Sequence, residues 1–160
     1  MSTRAYISTT DDNGTTAGVY HHWDGYPSGL GRTIYRAYQG HFRRDMDRLR
    51  AYLLAHTWSS VVNADFAHYP GYVNRSDLVQ GIGLRPQCYC HGDRSEPWET
   101  IDPQEAIDSG CEWRYELRDD STMVVYRVVG STWHIVGEVC LNGPCPEPRW
   151  DRIAYAKEAV

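Results

Sequence analysis

Apolar and polar side chains alternate near the start of the chain in the way that is typical of two short β-strands. The first strand is predicted at 4–9 and the second at 17–23, joined by the turn sequence Asp-Asp-Asn-Gly at 11–14. Successive side chains of a strand point to opposite faces, so His21 and His22 are predicted to face opposite ways. The chain therefore begins with a predicted β-hairpin.

The pattern then changes to a helical period. Apolar side chains recur at helical spacing within 30–41, with Ser28 as a predicted N-cap, and again within 44–56. The predicted apolar face of the first helix consists of Leu30, Ile34, Tyr38 and either His41 or Phe42. That of the second consists of Met46, Leu49, Leu53 and either His56 or Trp58. Asp102 and Pro103 have the sequence of a further helix start, and a short helix is predicted at 149–158.

Alternation returns in the last third of the chain. Three strands are predicted at 111–117, 123–129 and 133–139, separated by short turns, which indicates an antiparallel meander. Before them lies a connector at 86–103 that has no clear period and contains three prolines. A connector of this length indicates function or mobility.

Together these elements predict one α+β domain over 1–160. It consists of the N-terminal hairpin, two helices and the three-stranded meander. We expect the hairpin and the meander to join in one mixed or antiparallel sheet, with the helices on one face.

Composition limits the classes of function. The chain has 160 residues, 16 Lys and Arg, and 21 Asp and Glu, for a net charge of −5. A non-specific nucleic-acid binder needs a strong positive field, so we expect no binding of that kind. No apolar run approaches the roughly 20 residues of a membrane span, and the N-terminus lacks an apolar secretory segment. We therefore expect a cytoplasmic protein with no membrane partner.

The aromatic composition is unusual, with 12 Tyr and 6 Trp against 2 Phe. Tyr and Trp combine a large apolar body with a polar group, which suits both half-buried sheets and binding surfaces. A sheet packed with Tyr and Trp and a recognition surface remain two open interpretations.

The cysteines leave three alternatives. Their odd number and the missing secretory segment favour free thiols in a reducing compartment. A zinc site is the second alternative, and a Cys140–Cys145 disulfide is the third. The predicted ligands of that zinc ion are Cys88, Cys90, Cys140 and Cys145, with His91 as a substitute. No other cofactor is expected.

The densest group of polar and aromatic residues lies at 21–33, where a strand, a glycine-rich loop and a helix start follow one another. A helix start attracts anions, and Arg32 can contact a phosphate or carboxylate through two hydrogen bonds. The predicted ligand-binding residues are Trp23, Asp24, Tyr26, Gly29, Gly31, Arg32 and Thr33. A purely structural loop is the favoured alternative. The glycine spacing, and Arg32 in place of lysine, depart from a nucleotide-hydrolysing P-loop.

A catalytic interpretation of the same segment rests on His22 and Asp24. These residues are two apart on the predicted strand, so they share a face and can pair as a base and its orienting group.

The N-terminal Ser-Thr-Arg, the hairpin and the sequence Tyr-His-His-Trp-Asp-Gly-Tyr-Pro-Ser-Gly-Leu-Gly at 20–31 resemble a family of small proteins of bacteriophages, prophages and actinobacteria. The resemblance covers about the first 40 residues. It implies an origin and a bacterial host cell, and it implies no particular chemistry.

The leading hypothesis is therefore an accessory binding protein that captures a host factor or a small anionic, nucleotide-like ligand in a counter-defence role. A small His/Asp-dependent hydrolase or phosphodiesterase is the alternative. A structural or virion-associated module is a further alternative, which a buried loop would favour. An exposed Tyr/Trp patch would favour a protein partner. The oligomeric state stays open.

Overall fold

The structure is a computed structural model that describes residues 2–67, 86–90, 98–144 and 150. These residues form strands and helices around one mixed sheet, as an α+β fold requires. The strands are β1 (Ala5–Thr10), β2 (Thr16–His21), β3 (Trp58–Ser60), β4 (Gln87–Cys88), β5 (Trp113–Leu117), β6 (Thr122–Val129) and β7 (Thr132–Cys140). The helices are α1 (Arg32–Gln39), α2 (Met46–Leu53) and α3 (Pro103–Asp108), and a π-helical turn (Pro27–Gly31) leads directly into α1.

The predicted N-terminal hairpin is confirmed. β1 and β2 pair antiparallel, from Ala5 opposite His21 to Thr10 opposite Thr16. The Asp11 carboxylate stabilises the turn by accepting the amides of Asn13 and Thr15, each at 2.9 Å. The second strand ends at His21, two residues before the predicted end, and this changes the direction of the segment that follows.

The predicted meander is also confirmed, because β5, β6 and β7 pair antiparallel in chain order. It joins the hairpin through a parallel pairing of β1 with β5, in which Ala5 lies opposite Trp113. The strand order is β4-β3-β2-β1-β5-β6-β7. Among the described strands, the two N-terminal ones therefore lie in the middle of the sheet, and β4 and β7 form its opposite edges.

One face of the sheet carries the main core. Ala5 and Ile7 of β1 are fully buried there against α1 and α2, which contribute Ile34 and Leu49. Six of the helical apolar positions predicted from the sequence are buried in this core, and of the two open pairs Phe42 and Trp58 are buried, whereas His41 and His56 are half-buried. Burial of these side chains supplies the main stabilisation of the fold.

The opposite face carries α3, so the expectation that all helices lie on one face does not hold. Tyr6 alternates with Ala5 and Ile7 along β1, and it packs against Ala106 of α3 and against Cys111. The helix start predicted at Asp102 is confirmed. The Asp102 carboxylate accepts the Glu105 amide at 2.8 Å, and the Glu105 carboxylate accepts the Asp102 amide at 3.3 Å. The described residues form three α-helices, one more than the two in the predicted fold.

Two other predicted boundaries are corrected. Ser28 is not an N-cap, because helical winding already begins at Pro27, a residue that suits a first helical position. The second helix is shorter than predicted, and Asp45 caps it by accepting the Arg48 amide at 3.1 Å. The predicted C-terminal helix lies outside the described residues except for Trp150, which is buried in the main core.

Among the residues that the structure describes, none of the helices combines the length and hydropathy needed to cross a bilayer.

Candidate functional site

The glycines of the loop after β2 are buried, and Gly25 packs against the N-terminal segment. The Gly25 amide donates to the Thr3 carbonyl at 2.8 Å, and the Gly25 carbonyl accepts the Tyr115 hydroxyl at 2.6 Å. A Cβ atom at Gly25 would lie 2.7 Å from the Ala5 side chain. The absence of a side chain here therefore serves close packing of the backbone.

The helix start also uses its polar groups internally. The amides of Gly29 and Leu30 donate to the carbonyls of Tyr26 and Asp24 at 2.9 and 3.0 Å. The buried Thr33 hydroxyl donates to the Gly29 carbonyl and accepts the Asn63 amide, each at 3.0 Å.

The other two residues predicted at this helix start add little open surface. Gly31 lies where a Cβ atom would come within 3.0 Å of Trp150, and Arg32 is half-buried. In the structure, the polar groups and glycines of this segment therefore serve internal hydrogen bonding and close packing.

The two adjacent histidines face opposite ways, as the alternation predicts. His21 is fully buried, and its Nε2 accepts the Val61 amide at 3.0 Å. Burial, together with the neighbouring His22, lowers the pKa of His21 to about 3. His21 is therefore neutral at physiological pH and contributes to the core.

His22 pairs with Tyr20 and not with the predicted Asp24. Its Nδ1 lies 2.6 Å from the Tyr20 hydroxyl, and burial and the charge of Arg4 lower its pKa. Asp24 follows the end of β2 with a φ of 56°, so the strand geometry that would place it beside His22 is lost. Asp24 instead accepts a hydrogen bond from Tyr26.

Aromatic side chains surround His22 on the outside of the molecule. The ring of Trp23 meets His22 edge-to-face at 4.6 Å, and the ring of Tyr89 does so at 6.1 Å. Trp23 is 44% exposed and Tyr26 is 38% exposed, whereas the other rings are half-buried. We call the rings of Tyr20, His22, Trp23 and Tyr89, together with the exposed Tyr26 three residues after Trp23, the aromatic surface.

The predicted four-cysteine zinc site is not formed. Cys88 lies in the edge strand β4, and Cys140 ends β7 at the opposite edge. Six inter-strand spacings of about 4.8 Å separate these edges by roughly 29 Å, which is far beyond the reach of one metal ion. Cys140 is a free, exposed thiol, so the disulfide alternative is not formed either. The predicted ligands His91 and Cys145 lie outside the described residues.

Cys88 and Cys90 instead approach His56, which the sequence analysis considered for the apolar face of the second helix and not as a metal ligand. The Nδ1 atom of His56 lies 3.4 Å from the Sγ atom of Cys90. The ligand atoms of His56, Cys88 and Cys90 all lie within 4.8 Å of one another, and all three residues are half-buried. His56 was missed because only the pairing of β3 with β4 brings it to the cysteines.

A second polar cluster lies on the face of the sheet that carries α3. The Glu116 carboxylate accepts hydrogen bonds from Thr10, Arg114, Arg118 and Tyr126, at 2.6, 2.9, 3.0 and 3.3 Å. Burial alone would raise the pKa of Glu116. The hydrogen bonds from Thr10 and Arg118 and the charges of Arg114 and Arg118 outweigh burial and lower it. Glu116 is therefore an ionised and fully partnered group, which indicates a structural role.

Comparison of the chain with models of known protein families, with characterised proteins and with solved structures finds no match.

Proposed function

We propose that this protein is a non-enzymatic accessory protein that binds a bacterial host protein through the aromatic surface. The observation that carries the proposal is the exposure of Trp23, at 44%, beside a histidine held by other rings. Tyr26, three residues further along the chain, is 38% exposed. Tyr and Trp are enriched among the residues that contribute most to protein–protein affinity.

The backbone beneath these rings supports a binding role because it is held in place. The amides of His22 and Trp23 donate to the carbonyls of Trp58 and Ser59, each at 3.1 Å. The Tyr20 hydroxyl fixes the orientation of His22. A surface that is already ordered loses less conformational entropy on binding, and so more of its contact energy contributes to affinity.

Capture of a small anionic ligand has less support. At the predicted anion site, 29–33, the amides of Gly29 and Leu30 and the hydroxyl of Thr33 already form hydrogen bonds within the protein. The hydrolase alternative also gains no support, since His22 has a tyrosine partner in place of Asp24.

The proposal is tested by affinity purification from a bacterial host lysate with three tagged baits: the wild-type protein, Trp23→Ala and Ile135→Ala. Ile135 is 57% exposed on β7, away from the aromatic surface, and is the matched control. We expect a host protein that is retained by the wild type and Ile135→Ala and lost with Trp23→Ala. With the purified pair, Trp23→Ala should weaken binding about 30-fold, as expected for a residue worth about 2 kcal/mol.

Retention of the same partner by Trp23→Ala, or the absence of any specific partner, would contradict the proposal. Circular dichroism of each bait confirms that truncation of an exposed side chain leaves the fold intact. The counter-defence role further predicts that expression in a restricting host raises the infection efficiency of a phage, and that Trp23→Ala removes this effect.

A structural or virion-associated module is the second candidate, favoured by the burial of the three loop glycines, Gly25, Gly29 and Gly31. Detection of the chain in purified virions by mass spectrometry would support this role, whereas its restriction to the infected-cell lysate would support the accessory role.

A further inference from the structure

We propose that His56, Cys88 and Cys90 bind one zinc ion. Thiolate and imidazole are the ligands that zinc prefers in proteins, and three protein ligands suffice for a four-coordinate ion whose remaining position is taken by water. His56 lies 32 and 34 positions before Cys88 and Cys90 along the chain, so no local turn accounts for its approach to the two cysteines.

The distances fit the coordination shell of zinc. In a tetrahedral site with Zn–S near 2.3 Å and Zn–N near 2.0 Å, sulfur and nitrogen ligands lie about 3.5 Å apart, and two sulfurs lie about 3.8 Å apart. His56 Nδ1 and Cys90 Sγ are 3.4 Å apart, and no pair in the cluster exceeds 4.8 Å. A metal ion can enter between these atoms after only small rotations of the side chains.

Strand pairing explains why the three side chains share one face. Trp58 lies opposite Cys88 in the antiparallel pair of β3 and β4. The Tyr89 amide donates to the Thr57 carbonyl at 2.8 Å, so the same register continues beyond the strands. Two residues further along, His56 comes opposite Cys90, and alternation directs His56, Cys88 and Cys90 to the same side.

The proposed metal also has a structural consequence. β4 has only two residues and lies at the edge of the described sheet, and the metal would join it to His56, two residues before β3. Tyr89 stands between the two cysteines, and its ring contacts His22 of the aromatic surface. Zinc would therefore hold one side of the proposed partner surface in place, and this last step alone rests on the proposed function.

The test measures zinc in the full-length protein, purified without chelators, by elemental mass spectrometry. We expect about one zinc ion per chain for the wild type, and at least a tenfold loss for His56→Gln and Cys90→Ser. Cys140→Ser is the matched control, because Cys140 is a free thiol at the opposite edge of the sheet, and it should keep the metal.

A second measurement does not depend on how the variants fold. The metal-free wild type is titrated with Co²⁺, which should give thiolate-to-cobalt absorption that equimolar Zn²⁺ abolishes. Hydrogen exchange at the Tyr89 amide should become at least tenfold faster when zinc is removed. This readout needs no protein partner, so it separates failure of the zinc site from failure of the proposed function.

Three results would overturn the proposal. One is a wild-type protein that holds no zinc and binds Co²⁺ no better than Cys90→Ser does. Another is loss of the metal in Cys140→Ser, which would place the ligands elsewhere. The third is a Cys88–Cys90 disulfide in the freshly purified protein, seen as a mass 2 Da lower that reduction restores, because a disulfide removes both thiolate ligands.

Discussion

Glu116 shows how much one residue of this sheet depends on its partners. Its side chain is 6% exposed, and its ion-pair partner Arg114 is 9% exposed. Replacement by glutamine would remove the charge and leave the Arg114 guanidinium buried without a counter-ion. We expect Glu116→Gln to lower the free energy of unfolding by about 2–3 kcal/mol, since breaking a buried ion pair costs more than the pair contributes.

Urea denaturation with Glu112→Gln as the control checks this expectation. Glu112 is exposed just before β5, and its replacement should change stability by less than about 0.5 kcal/mol. Because the pKa of Glu116 is lowered in the folded state, its ionisation stabilises the protein above the unfolded value, near 4.3, and this stabilisation is lost as the pH falls below it. The difference between wild type and Glu116→Gln should therefore be constant from pH 7 to about 5.5 and shrink below about pH 4. A difference that stays unchanged down to pH 3 would contradict this assignment.

For single residues, the sequence predicts which face of the sheet a side chain lies on better than it predicts the side chain's hydrogen-bond partner. Alternation alone places His21 and His22 on opposite faces. It cannot show that His22 pairs with Tyr20, because both Tyr20 and Asp24 are two residues away along an ideal strand. The choice depends on where strand geometry ends, and the positive φ of Asp24 ends it before that residue.

Among the elements, the π-helical turn at Pro27–Gly31 is constrained by close packing at Gly29. A Cβ atom at Gly29 would collide with the Asp24 carbonyl, a backbone atom that cannot move without breaking its bond to the Leu30 amide. We expect Gly29→Ala to lower the free energy of unfolding by about 2–4 kcal/mol, measured by urea denaturation.

Gly14→Ala is the control for this substitution. Gly14 has a φ of 80° and open space around the position of its Cβ. Alanine there should lower the free energy of unfolding by only about 1 kcal/mol, because a left-handed backbone is less favourable for alanine than for glycine. Equal losses for the two variants would show that the collision at Gly29 is relieved by a shift of the loop.

The elements also show what local sequence can establish. The hairpin, the meander, Asp102 as an N-cap and the apolar faces of α1 and α2 follow from period and cap residues, which act over a few positions. The pairing of β3 with β4 connects short segments about 30 residues apart, and three or two residues carry no readable period. The proposed zinc ligand His56 could therefore not be predicted, although Cys88 and Cys90 could.

At the scale of the whole molecule, the strand order makes the unfolding of the hairpin and of the meander interdependent. The parallel pairing of Ala5 with Trp113 joins segments 108 residues apart, so the hairpin and the meander each complete the other's core. No local pattern signals such a pairing, which is why the sequence left open whether the sheet was mixed or antiparallel. Loss of this pairing would expose Ile7 and Tyr115, which are both fully buried.

This order predicts a gradient of hydrogen exchange across the sheet. β1 and β5 have hydrogen-bonded neighbours on both sides, and their amides should exchange only on global unfolding, with opening free energies in the range of about 5–15 kcal/mol. β7 is an edge strand with mostly exposed side chains, and its amides that point away from β6 should be unprotected. Exchange followed by NMR at Ile7, Tyr115 and the residues of β7 measures the gradient, with the β6-bonded amides of β7 as internal controls. Equal protection of the outward β7 amides and of β1 would mean that β7 is covered in solution, as by a second copy of the chain, and the sheet described here would then continue beyond one molecule.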